Sequence, residues 1–71
     1  MSSPQPHWER VADDIANRVR KGELRPGDQL PSIGALADHY LVGRSTIKTA
    51  LLTLRQRGVI RGEPGRGTYI K

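Results

Sequence analysis

Arg44, Ser45, Thr46, Lys48 and Thr49 bring two cations and three hydroxyls into six consecutive residues, and Gly65, Arg66 and Gly67 set another cation between two positions without side chains. Such a set suits a polyanion whose surface also offers hydrogen-bonding groups. An arginine forks onto guanine O6 and N7, giving roughly 1–3 kcal/mol of discrimination against a wrong base, which makes Arg44 the leading base reader. Thr46 can meet a phosphate or a thymine methyl, Lys48 a guanine or a phosphate, and Ser45 and Thr49 share their face. Glycines at 65 and 67 let a backbone approach closely, and Arg66 suits the negative potential of a narrow minor groove. Each feature has a plainer alternative: a solvated arginine at a helix start, a glycine turn with a surface arginine, or a face made soluble by charge.

Other chemistry is poorly supplied. Asp13 and Asp14 are adjacent on a helical stretch and diverge by about 100°, so they make a solvated face rather than an acid/base pair. Ser32 and Ser45 have no credible relay, because His39 falls on a short helix and His7 near the N-terminus. The glycines from 62 to 67 do not form a nucleotide-cradling loop, since no Lys-Ser/Thr follows them and no helix opens there. With no cysteine there is no disulfide or thiolate zinc site, and two histidines cannot complete a structural metal site. The expectation is a non-enzymatic protein without catalytic residues, metal or cofactor.

At 71 residues the chain holds one domain, which buries only about 60% of its unfolded surface and has a marginal core unless a partner supports it. Its composition, 35% hydrophobic and 27% charged, is too apolar for disorder and too polar for a membrane segment. It reads as soluble and cytoplasmic, with no membrane partner. The net charge of +5 is one-sided: residues 1–31 carry five basic and five acidic side chains, whereas residues 32–71 carry seven basic against two acidic. A one-sided positive field points to nucleic acid or, less often, an acidic membrane surface.

The elements that must position these residues follow from periodicity. Residues 1–7, with MSSPQP at the start, read as a flexible arm ahead of a domain over 8–71. Trp8, Val11, Ile15 and Val19 recur at spacings of three and four, predicting a helix over roughly 8–21 with Trp8 in the core and Gly22 just past its end. Residues 22–31 are a turn-rich connector in which Leu24 and Leu30 point inward. Ile33, Leu36, Ala37 and Tyr40 predict a two-turn helix from Ser32 to about His39. Ile47, Ala50, Leu51 and Leu54 predict a longer one from Arg44 to Arg57, stopping at Gly58. The tight bend between them makes a helix-turn-helix. Val59–Arg61 and Thr68–Ile70 are β-prone and flank residues 62–67, which read as the long, mobile tip of a hairpin. The fold class is therefore mainly α with a small β-hairpin: three helices and a wing.

The residues LPS at 30–32, LA at 36–37, VGRSTIK at 42–48, ALxxL at 50–54, Gly58 and GRGT at 65–68 carry a resemblance. Over residues 8–71 the chain resembles the DNA-binding domain of the GntR family of bacterial transcription regulators. The resemblance implies a winged helix-turn-helix whose third helix enters the major groove of double-stranded DNA and whose hairpin tip touches the minor groove or its phosphates. It implies a homodimer on a short inverted repeat; a repressor is the expected kind of regulator, with repressor against activator left open by the sequence. It places DNA contacts at Arg44, Thr46 and Lys48, the last in place of a more common arginine. An architectural or protein-recruiting winged-helix module with weak sequence preference is the alternative, and graded sequence dependence separates the two. Such relatives continue into a larger effector-binding domain. The chain is then a portion of a longer regulator or a short stand-alone relative, with an unknown effector and no site for it here.

Several positions depart from the pattern. Ile33, Gly34 and Ala35 stand where an acid, an arginine and an acid are usual, so no DNA contact carries over to Gly34, and the capping box lacks its acid. Leu41 stands where glycine is common and Gly43 where a serine or threonine would cap the third helix. If residue 41 is left-handed, its side chain costs about 1–2 kcal/mol. The reading elements are then expected to tighten on DNA or on self-association.

Overall fold

In the computed structural model, which describes residues 6–71, the chain runs through α1 (His7–Arg20), α2 (Ile33–Tyr40), α3 (Arg44–Gln56), β1 (Ile60–Glu63) and β2 (Gly67–Ile70). α1 begins one residue before Trp8 because the Pro6 carbonyl accepts the amides of Glu9 and Arg10, at 3.1 Å each, which brings His7 into the first turn. The expected arm is thereby shortened at its end, and its residues 1–5 lie outside the described residues. Val11, Ala12 and Ile15 form the buried stripe of α1, with Glu9 in the first turn and Arg18 and Arg20 in the last, as the helix dipole favours. Trp8 is half-buried at the margin of the core rather than inside it.

Ser32 lies just ahead of α2 and caps it, its Oγ accepting from the Ala35 amide at 3.2 Å. α2 ends at Tyr40, and its C-cap Leu41 has a left-handed φ of 57° and ψ of 47°. The Val42 amide bonds back to the Ala37 carbonyl at 3.1 Å. Three residues then turn the chain into α3, capped by Gly43 without a side-chain acceptor. Ile47, Ala50 and Leu54 bury the inner face of α3 against α1 and α2. Burial of an aliphatic side chain such as Ile47 or Leu54 stabilises by roughly 1.5–3 kcal/mol relative to exposure. Leu51 is only half-buried.

β1 and β2 pair antiparallel, Ile60 opposite Ile70 and Glu63 opposite Gly67. The strands are longer than β-propensity predicts, and the six-residue tip shrinks to Pro64, Gly65 and Arg66, closed by the Arg66 amide on the Glu63 carbonyl at 3.0 Å. The connector is also more ordered than a turn-rich link. The Gly27 and Leu30 amides donate to the Ile70 and Thr68 carbonyls at 2.8 Å each, the Ile70 amide donates to Asp28, and Gln29 bridges Tyr69. Residues 27–30 thus lie along the open edge of β2 and satisfy backbone groups that a two-stranded ribbon would leave bare. Leu30 is buried and Leu24 half-buried, so both connector leucines face the core. Three helices and a β wing, with the second and third helices joined by a tight turn, are a winged helix-turn-helix.

Candidate nucleic-acid interface

The outer face of α3 is built by phase. With Ile47, Ala50 and Leu54 turned inward, Arg44, Ser45, Lys48 and Thr49 are left exposed, and Thr46, on the flank, is half-buried. Thr49 donates its hydroxyl to the Ser45 carbonyl at 3.1 Å, which leaves its oxygen as an acceptor. Leu52 continues the same face and is 52% exposed. Arg44 sits in the first turn of α3, beside an N-terminus whose amides lack a side-chain cap. The nearest atoms to a Cβ built on Gly34 of α2 are all its own: Nη2 at 3.2 Å, Cζ at 3.7 Å and Nε at 3.9 Å.

The wing supplies the second cluster. Gly65 and Arg66 are exposed at its tip. Gly67 is bare for a reason inside the protein: its φ is 122°, and a Cβ there would stand 2.7 Å from the amide nitrogen of Gln29. That Nε2 donates to the Arg66 carbonyl at 2.9 Å, so a connector residue straps the tip from 37 positions away. Arg61 pairs with Glu63 at 2.9 Å and lies over the Tyr69 ring, 5.7 Å from its centroid.

Between α3 and the wing lies an open groove of about 750 Å³, whose lining includes Arg55, Arg61, Arg66 and Lys71 with Glu63 as its acid. A neighbouring groove of about 210 Å³ holds Lys48, Leu52, Arg55 and Thr68. Arg55 belongs to both, so basic side chains run from Lys48 on the helix to Arg66 on the wing tip. Arg55, Arg61, Lys71, Leu52 and Gln29 lie outside the residues that the motifs of the sequence mark. The phase of α3 could have found Arg55, seven residues beyond Lys48, whereas nothing local marks Gln29.

The groups that tempt a catalytic reading are tied into the scaffold. Asp14 accepts from the Tyr40 hydroxyl at 2.7 Å and from Arg18 Nε at 3.1 Å. These bonds, that of Tyr40 first, hold its carboxyl below the ordinary value against an opposing effect of burial. Burial and the same bond push the Tyr40 hydroxyl up to about 12. Asp13 pairs with Arg57 at 3.3 Å, Ser32 caps α2, and His39 meets the Tyr40 ring edge to face. Among the described residues no group of three or more His, Cys, Asp or Glu could hold a metal ion, and no helix is long and apolar enough to cross a membrane.

The family model described as bacterial regulatory proteins, gntR family, matches residues 8–70. The mannosyl-D-glycerate transport/metabolism system repressor MngR of Escherichia coli (strain K12) is 37% identical over 67 residues, covering 94% of this chain and 28% of MngR. YtrA from Sulfolobus acidocaldarius, a GntR-family transcription factor, superposes with a TM-score of 0.90 at 37% identity, covering 99% of this chain and 73% of that one. The AraR DNA-binding domain in complex with operator ORE1 superposes at 0.92 with 25% identity, covering 100% and 89%. The chain spans from 24% to 52% of the length of curated relatives such as MngR and the Bacillus subtilis regulators LutR and YtrA.

Proposed function

Because the chain belongs to the gntR family of bacterial regulatory proteins, we propose that it is a sequence-specific double-stranded DNA-binding regulator. The first turns of α3 enter the major groove. There Arg44 reads a guanine, Ser45, Thr46 and Thr49 contact base edges or phosphates, and Lys48 meets a guanine or a phosphate. The wing lies on the adjacent minor groove or its phosphates through Gly65, Arg66 and Gly67. One observation carries this reading: the exposed hydrogen-bonding face of α3 continues without a break into a groove lined by Arg55, Arg61, Arg66 and Lys71. A base-reading helix end needs such a phosphate track beside it to fix its register.

Action as a repressor is proposed by analogy with MngR, a repressor by name, and binding as a homodimer on a short inverted repeat is what the family resemblance implies, two-fold sites being matched by two-fold dimers. The site of action is the cytoplasm, on the nucleoid. No effector site is assigned to these residues.

Selection from a random duplex pool tests the reading, followed by the stoichiometry of the complex on the winning sequence. One short palindrome bound by two chains, preferred by about 10³-fold or more over random duplex, is the expected result. Affinity should fall with salt at a slope near 0.9 per neutralised phosphate. A flat selection with the same salt dependence would turn the assignment to an architectural module.

A further inference from the structure

We propose that Gly34 is a specificity-determining residue: its missing side chain is the seat on which the Arg44 guanidinium is oriented toward its base. The proposal rests on the DNA-reading role given to Arg44 above. Gly34 occupies the first turn of α2 with an ordinary helical φ, so the backbone does not demand glycine there. Glycine is also the poorest helix former after proline. A bare position that weakens a two-turn helix therefore calls for another explanation, and Arg44 supplies it.

The three atoms closest to a Cβ at 34 are Nη2, Cζ and Nε of Arg44, so the guanidinium lies along the α2 backbone where a side chain would stand. No acidic residue stands in the first turn of α2 or of α3 to pair with it. The group is held by shape, and its forked donors are left free for acceptors outside the protein. A free arginine side chain spends much of its binding energy on losing rotamers; a seat that limits them before binding reduces that loss. α3 repeats the device at its other end. Arg55 lies over Gly62 of β1, where a Cβ would stand 2.5 Å from its Nη2. The arginines at both ends of this flank of α3 therefore rest on glycines of neighbouring elements, with Lys48 between them.

The test separates seating from stability because the two move in opposite directions. Gly34→Ala and Gly34→Leu both favour the helix, and the alanine variant should melt a few degrees higher, about 4 °C. A methyl group crowds the guanidinium by a few tenths of an ångström, while leucine takes its place and offers no hydrogen bond. Base preferences of the unmodified chain, both variants, Arg44→Ala and the double variant Gly34→Leu/Arg44→Ala are read from the same random duplex pool at low ionic strength.

The expected result is a loss of about tenfold in preference for Gly34→Leu at the base pair that Arg44→Ala also relaxes. The loss should be smaller for Gly34→Ala, and absent once Arg44 is alanine. Full preference in a folded Gly34→Leu variant, or an equal loss in the Arg44→Ala background, would overturn the proposal. Should the leucine variant fold poorly, undiminished preference in Gly34→Ala does so alone. A selective unmodified chain with an indifferent Arg44→Ala removes the base-reading role and the seat with it. A chain that never binds duplex removes the DNA reading itself.

Discussion

The corner between α2 and α3 and the β wing both feed cations into the candidate interface, but they are held in different ways. The wing is cross-braced. Residues 27–30 run along β2, Gln29 straps the tip carbonyl, Arg61 bridges Glu63 and Tyr69, and Arg55 fills the space over Gly62. The corner holds a left-handed leucine whose side chain is 89% exposed, an N-cap glycine with no acceptor to offer, and a glycine inside a two-turn helix. Its polar tie to the rest of the domain is the Tyr40 hydroxyl on Asp14 of α1. Segments with few buried contacts and weak caps open at lower free energy. A firm wing is suited to tracking a regular phosphate backbone, and an adjustable corner to a base-reading end that tightens on its site. Comparing amide exchange with and without the selected duplex checks this directly: residues 32–48 should gain protection on DNA, and residues 27–30 and 67–70 should gain much less.

The strongest effects should fall on binding. Arg44→Ala is expected to relax preference at one base pair per half-site by roughly 1–3 kcal/mol, leaving other positions unchanged. Arg66→Ala should weaken all duplexes alike and lower the salt slope by about 0.9. Quantitative binding to a panel of single-base variants at two salt concentrations distinguishes these outcomes. A base-specific loss at Arg66 and a uniform one at Arg44 would reverse the roles of helix and wing.

Next in size is the corner's own strain. Leu41 has φ 57° and an exposed side chain that packs against nothing in the core. A leucine in this conformation costs about 1–2 kcal/mol, part of which a glycine returns through its freer unfolded chain. Leu41→Gly should therefore stabilise by about 1 kcal/mol and raise Tm by about 4–8 °C. An unchanged or lowered Tm would mean that the corner is not strained, and the contrast with the wing would weaken.

What the sequence made legible follows the same division. The helices could be placed to within a residue or so because Val11 and Ile15, and Ile47, Ala50 and Leu54, repeat at helical spacing and are buried. The outward position of Arg44, Ser45, Lys48 and Thr49 follows from the same phase, and the strain at Leu41 was foreseeable from a family pattern that prefers glycine there. The bracing of the wing was not legible. Gly62 and Gly67 are poor strand formers, and cross-strand pairing within the hairpin overrides that preference. Gln29 and Arg66 lie 37 residues apart, with no periodicity to link them. The strip of residues 27–30 looked like turns because its partner, the edge of β2, comes from the far end of the chain.

The Gln29 strap ranks third. Gln29→Ala removes the bond to the Arg66 carbonyl and the amide packed beneath Gly67, at a cost of about 1 kcal/mol. Because the strap joins the connector to the tip, the loss should appear as faster amide exchange at residues 64–68. Binding should weaken without any change in base preference. Altered preference instead would give the wing a reading role rather than a tracking one.

The smallest effect is the most selective, because it concerns the corner's own tie to α1. The Asp14 carboxyl is held below its ordinary value in the folded chain, by Tyr40 first and then by Arg18, with His39 adding to the same direction. Its contribution to stability is complete above the ordinary carboxylate range and is lost as pH falls through the lowered value, so it fades below about pH 4. Tyr40 has the opposite sign: its hydroxyl is pushed up to about 12, so its share is complete below pH 10 and disappears as pH rises toward 12. The bonds that tie residues 27–30 to β2 and the wing tip are amides on carbonyls, which do not titrate in the acid range. Acidification should therefore speed amide exchange at residues 40–43 before residues 27–30, and Tyr40→Phe should erase that order. If both segments loosen together in the unmodified chain, the corner and the wing are one cooperative unit and the distinction between them does not hold.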